Sequence, residues 1–209
     1  MNEREQALVD AERELRRAGE YLNVLKNTRS FSTFDDAWRD FLSSIDRCYN
    51  RIEVFQNDSG KVGPRVGQIV NARKKDPLIK YMKEARNTHE HRPYKLLNKT
   101  GPGVSIGLAP VQTYGYIDYL RIDSTGDETV IESSDKNFGM SVIITPKDYE
   151  LLPVMDRDGN SISVPTTHLG KKISIVTPVR AAEITLKFYK DKFEEVRIEV
   201  GKINAGVSY

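Results

Sequence analysis

The chain holds a single cysteine, Cys48, among its 209 residues. That excludes an internal disulfide framework and a cysteine metal cluster. Ile45, Tyr49 and Ile52 surround it at helical spacing and read it as a small buried hydrophobe. Histidine is scarce too, with three in the chain. No apolar run is long enough to cross a bilayer, and the opening MNEREQALVDAERELRR is charged where a secretory signal needs an apolar stretch. The expectation is a cytoplasmic protein without a membrane partner. An excess of one charge is missing as well. Against 30 acidic residues stand 32 Lys and Arg, a net charge of +2, so global electrostatics do not mark a nucleic-acid binder. Any phosphate binding has to be local. Internal repeats and low-complexity tracts are also lacking.

What is present is a globular composition, 38% hydrophobic and 30% charged, in a length that suits one large domain or two small ones. The first hundred residues read as helices. Leu8, Ala11, Leu15, Ala18, Leu22 and Leu25 recur every three or four positions and predict a helix over 3–27. A second helix has Ser32 or Thr33 as its expected cap, Asp35 and Asp36 in its first turn, and an apolar stripe of Phe34, Trp38, Phe41, Leu42, Ile45, Tyr49, Ile52 and Phe55. The aromatics of that stripe read as core. NDSGKVGPRVG breaks the pattern, and a short helix follows. Asp76 and Pro77 then supply an N-cap and a first-turn proline for a helix that Pro93 ends near His91.

Past residue 101 the texture changes to short β-branched runs, VSIGL, YGYIDYLRI, ETVIE, MSVIIT, SISV and KISIV, separated by turn signals such as DSTGD and DRDGN. LLPVM and SISVP flank DRDGN as a hairpin. GPGVSIG lacks the spacing of a dinucleotide loop, and DRDGNS lacks that of a calcium loop. Finally, Ala182, Leu186, Tyr189 and Phe193 predict a helix over 178–197 behind Pro178. Its apolar face has to be buried, and the open stripes of the first helices are the nearest partner. The expected class is α+β: an N-terminal antiparallel helical bundle over 1–100, a β-rich subdomain over 101–176, and a C-terminal helix and tail over 177–209 that packs back on the bundle.

Two of the three histidines fall in the stretch RNTHEH, Arg86 to His91. An arginine can hold a phosphate in two hydrogen bonds and offset charge building on phosphorus. A histidine at a helix C-terminus feels the negative end of the dipole and suits proton transfer near neutrality. Asn87 and His91, four apart, share a face, and Asn87 is placed to orient the histidine or bind a phosphate oxygen. Arg86 and His91 diverge by about 140° on an ideal helix. The plainer reading is a surface ion pair of Arg86 with Glu90 and a solvated His89. His168 has no role in either. Lys74, Lys75, Arg65 and Arg73, in KVGPRVGQIVNARKKD, form the candidate RNA-binding patch, with an ordinary solvated helix face as its alternative. No residue set has good metal-ligand spacing, so neither metal nor cofactor is expected.

Arg86, Asn87 and His91 together resemble the R-N-x-x-x-H signature of the HEPN superfamily, helical bundles found in prokaryotic toxins and antiviral nucleases. The preceding WRDFLSSIDRCYNRIE and DPLIKYMKEARNTHEH are similar to segments of uncharacterised bacterial HEPN-like proteins. Those usually carry glycine after the histidine, where Arg92 stands here. The resemblance covers roughly the first hundred residues. It implies a homodimer whose two copies line one cleft, and metal-independent endoribonuclease activity of a toxin or defence kind, with catalytic Arg86, Asn87 and His91. RNA is the implied substrate, and an antitoxin or other protein an implied partner. Many such domains are noncatalytic, so a dimeric RNA- or protein-binding module is the alternative reading.

Overall fold

The computed structural model describes residues 2–58, 60–91, 95–100, 103–108, 120–123, 130–133, 140–145, 148–173 and 176–204. Four helices come first: α1 (Glu3–Asn27), α2 (Phe31–Glu53), α3 (Val62–Lys75) and α4 (Pro77–His91). Among the described residues ten short strands follow: β1 (Leu97–Thr100), β2 (Gly103–Leu108), β3 (Leu120–Asp123), β4 (Val130–Ser133), β5 (Met140–Thr145), β6 (Asp148–Leu151), β7 (Val154–Met155), β8 (Ser161–Ile162), β9 (Thr167–His168) and β10 (Lys171–Lys172). A long helix, α5 (Pro178–Asn204), comes last. The class is α+β.

Each helix start has a chemical cause. Asn2 and Glu5 form a reciprocal capping box on α1. The cap of α2 is Ser30, whose hydroxyl accepts from the Thr33 amide, in place of the expected Ser32 or Thr33. The helix therefore begins one turn early, because the first Ser able to leave helical geometry takes the cap. Asp76 caps α4 by accepting from the Ile79 amide at 3.0 Å, and Thr177 caps α5 ahead of Pro178. Helix α3 starts inside the expected breaker. Gly63 makes this possible, since a Cβ there would lie 2.6 Å from the Asp58 carbonyl oxygen and 2.8 Å from that of Gln56. Any side chain would push α3 off the preceding turn.

The chain divides into two compact units, one of residues Met1–Asn98 with Leu151–Tyr209, the other Lys99–Glu150. In the first, the stripe of α2 is buried along its whole length, from Phe34 and Trp38 to Ile52 and Phe55. Each such aromatic contributes roughly 1.5–3 kcal/mol by leaving water. Helix α1 lies on α2, and α5 packs back on α1, α2, α3 and α4. Ion pairs mark its seams: Lys26 with Glu183 at 2.6 Å and Arg65 with Glu195 at 3.2 Å.

Residues 151–176, expected inside the β subdomain, belong to the helical unit. Helix α4 holds them: the Tyr81 hydroxyl donates to the Leu152 carbonyl at 2.6 Å, that of Thr88 donates to the Met155 carbonyl at 3.0 Å, and Val154 is fully buried. Antiparallel β7 and β8 flank the DRDGN turn, closed by the Asp156 amide on the Asn160 carbonyl, with Gly159 at φ 86°. Antiparallel β9 and β10 meet at Leu169 and Gly170, with φ of 48° and 74°. Within the second unit, β2 pairs antiparallel with β5, Gly103 opposite Thr145 through Leu108 opposite Met140, and β3 pairs with β4. The expected DSTGD turn and the first part of YGYIDYLRI lie outside the described residues.

Candidate functional site

Helix α4 carries the R-N-x-x-x-H residues in its C-terminal half and ends on His91, as the Pro93 signal implies. Arg86 does not run along its own helix. It crosses to α2, where its Nε lies 3.4 Å from Oδ2 of Asp46, and its side chain keeps about a quarter of its surface exposed, 26%. Its Nη1 also donates to Oδ1 of Asn87 at 3.3 Å. Asn87 in turn donates to Glu84 at 3.0 Å, and Glu84 pairs with Lys83 at 2.7 Å. The side chains of His89, Glu90 and His91 lie outside the described residues.

Asp46 is buried, and its other oxygen, Oδ1, accepts from Nη2 of Arg73 at 2.6 Å. Arg73 donates through Nη1 to the Tyr189 hydroxyl of α5 at 3.1 Å and lies over the Tyr49 ring, 3.8 Å from its centroid. Tyr49 donates onward to Glu53. The chain Tyr189, Arg73, Asp46, Arg86 thus takes one residue from each of α5, α3, α2 and α4. Burial works against the Arg73 charge, yet Tyr189 and Asp46 outweigh it and hold its pKa above the ordinary value. Burial pushes the Tyr189 hydroxyl up to about 12, with Arg73 pulling it part of the way back. It is a neutral phenol whose oxygen accepts.

Beside this chain is a cavity of about 10 Å³, lined by Asp46, Arg73, Arg86 and Tyr189 with Ile79 and Met82. It has room for about one water and no larger ligand. Arg73 and Arg86 meet Asp46 there, and Lys83 pairs with Glu84 beside it.

The expected basic patch is broken up by these contacts. Arg73 is buried in the bundle, so it faces Asp46 and Tyr189 and not the solvent. Its place on α3 turns it inward, where the carboxylate offsets the cost of burial. Arg65 pairs with Glu195, while Lys74 and Lys75 are exposed. Arg73 is held by Asp46, which no sequence pattern singles out, and by Tyr189, expected only as part of an apolar helix face; Arg86 lies against the same Asp46. His168, given no role, places Nδ1 2.9 Å from Oδ1 of Asp76 and its ring edge against Phe188.

Among the described residues no group of three His, Cys, Asp or Glu side chains is placed to hold a metal ion, and no helix is long and apolar enough to cross a membrane. In comparisons with known proteins, no family model, no curated protein and no solved structure matches the chain.

Proposed function

We propose that the protein is a HEPN-type endoribonuclease that cleaves RNA without a metal, using Arg86, Asn87 and His91 in the cytoplasm of a prokaryotic cell. The observation that carries this reading is the unequal sharing of Asp46. One carboxylate serves two guanidiniums, of which Arg73 is buried and Arg86 keeps about a quarter of its surface exposed. A partly exposed guanidinium whose orientation is already fixed by a carboxylate suits a phosphate, because little side-chain freedom is lost on binding.

In this mechanism Arg86 binds the scissile phosphate. The ribose 2′-hydroxyl attacks phosphorus, the new P–O2′ bond forms as the P–O5′ bond breaks, and His91 moves the proton. Asn87, bound to both Arg86 and Glu84, keeps the arginine aligned. The products are a 2′,3′-cyclic phosphate and a 5′-hydroxyl. A second copy of the chain, docked through the helical unit, brings another Arg86 and His91 to the same cleft and removes the divergence of the two side chains on one helix. A toxin or defence role, with an antitoxin-like protein partner, is consistent with this activity.

The test is incubation of the purified protein with mixed single-stranded RNA in EDTA, beside His91→Ala. Cleavage that survives EDTA, spares DNA and is lost in the variant supports the reading. Cleavage that persists in His91→Ala or stops in EDTA overturns it. A specific observation favours a second reading, a noncatalytic dimeric binding module. Arg73 is engaged inside the protein and the partly exposed Arg65 is paired with Glu195, which leaves Lys74 and Lys75 as the fully exposed part of the basic patch. Absence of cleavage on every RNA tried selects that reading.

A further inference from the structure

The third histidine lies on β9, apart from the R-N-x-x-x-H residues. We propose that His168 is a phosphoryl-acceptor site: its Nε2 takes a phosphoryl group from a phosphoramidate, and Asp76 is the positioning residue that fixes the tautomer. This does not rest on the RNA reading, which uses other residues.

The geometry supplies the reason. Asp76 is buried, and both its oxygens are acceptors: Oδ1 takes the Ile79 amide at 3.0 Å, and Oδ2 takes the Leu169 amide at 2.6 Å. Nδ1 of His168 lies 2.9 Å from Oδ1. A carboxylate only accepts, so in the neutral ring Nδ1 carries the hydrogen and Nε2 presents its lone pair. The same carboxylate grips the side chain of one residue and the backbone of the next. From the other side the Phe188 ring meets the imidazole with centroids 5.6 Å apart, nearly perpendicular at 86°. Ring position and tautomer are thus set before any partner arrives, the arrangement that prepares an imidazole as a nucleophile or base.

Nε2 takes no hydrogen bond among the described residues, and it is not buried. His168 keeps 14% of its side-chain surface exposed and lines a groove of about 580 Å³ along α5. That is a volume suited to a small molecule. Among the described residues, Arg180, Lys187 and Lys192 line the same groove, each paired with a carboxylate three or four residues along α5, at 3.1, 2.8 and 2.9 Å. Arg180 and Lys187 are exposed, and exposed pairs are held weakly, so these cations can turn to a phosphoryl group at little cost. In the step, the Nε2 lone pair bonds to phosphorus as the donor's P–N bond breaks. The donor nitrogen, protonated beforehand by solvent, leaves as the free amine. Asp76, still holding Nδ1–H, offsets the positive charge left on the imidazolium.

The experiment incubates the full-length protein with potassium phosphoramidate at neutral pH and maps the modified histidine by tandem mass spectrometry under alkaline conditions, which preserve the N–P bond. Each rate is taken relative to N-acetylhistidine in the same solution. His168 should be modified about tenfold or more faster in the folded protein than in the urea-unfolded chain, the scale of one hydrogen bond to a charged group. Equal or slower modification in the folded state marks ordinary chemical reactivity and overturns the proposal. Nitrogen-15 NMR of the histidine-labelled protein, with the ring neutral, reads the tautomer, its signal assigned by loss in His168→Gln. Hydrogen on Nδ1 supports the proposal, and hydrogen on Nε2 overturns it. Asp76→Asn keeps the size of the side chain and removes its charge, so it should return His168 to the rate of the unfolded chain. An unaltered rate in the folded variant, expected if Asp76 is merely structural, overturns the positioning role. Should Asp76→Asn not fold, the tautomer and the comparison of folded with unfolded wild type decide.

Discussion

The two ends of α4 are each organised by one buried aspartate, and the two aspartates do different things. At the start, Asp76 accepts from the Ile79 amide, from the Leu169 amide at 2.6 Å, and contacts His168. Its partners are two backbone groups and one imidazole, drawn from its own helix and from the β9–β10 hairpin. Near the end, Asp46 stands between Arg73 and Arg86. Backbone donors make Asp76 a fixed joint, since an amide cannot leave without unfolding its element. Two guanidiniums from different helices on one carboxylate make Asp46 a shared acceptor between side chains. Burial of an acidic residue thus does not identify its task; the kind of its partners does.

Removing Asp46 breaks the comparison hardest. Asp46→Ala strands Arg73 in the bundle as an uncompensated buried cation, which costs about 3–5 kcal/mol. Urea denaturation should show it, and a loss under 1 kcal/mol would mean that Arg73 finds water or another acceptor. The next effect is on activity. His91→Ala should lower cleavage by about 10²-fold or more, the usual scale for a lost general acid–base. Arg86→Ala should weaken both phosphate binding and rate, while His89→Ala should do much less, and initial rates on one RNA order the three.

Asp76→Ala tests the other end. It removes a helix cap and the acceptor of the Leu169 amide, for about 2 kcal/mol of stability. Cleavage by the remaining folded protein should stay near the wild-type level, because the variant leaves Asp46 and Arg86 untouched. A large drop in rate with little change in melting would show that both ends of α4 serve the site.

The sequence is a good guide wherever a contact is local and a poor one wherever it is not. The stripe of α2 is legible because a 3.6-residue period and burial coincide from Phe34 to Ile52. Asp76 with Pro77 is legible because cap and first-turn proline are neighbours. Ser30 is missed by one turn, since Ser30, Ser32 and Thr33 have the same capping chemistry and packing chooses among them. The site is harder. Arg86 next to Asn87 is visible as a motif, but its partner Asp46 lies on another helix among polar residues with no distinguishing pattern. Tyr189 reads as one more apolar residue at helical spacing, and its hydroxyl acquires a role only when α3 brings Arg73 to it. His168 meets Asp76 across 92 residues of chain, so neither carries a sign of the other.

The smallest effect concerns Leu169, which sharpens the account of Asp76 as a joint. Among the described residues it is the one non-glycine with positive φ, at 48°, and its side chain is 58% exposed. With Gly170 at 74° it forms a two-residue hairpin turn in which both residues are left-handed, a geometry that favours Asn or Gly at the first position. A leucine there bears a Cβ strain of roughly 1 kcal/mol. The hydrogen bond that its amide donates to Oδ2 of Asp76, 2.6 Å long, is what holds the turn against that strain. Leu169→Asn keeps the amide and relieves the strain, so it should stabilise the protein by about 0.5–1 kcal/mol. In the Asp76→Ala background the same substitution should stabilise more, since the strained turn there has lost its anchor. A double-mutant cycle from melting curves measures the difference. Equal effects in both backgrounds would show that the Asp76 contact does not hold the turn, and that the hairpin keeps its left-handed pair for its own reasons.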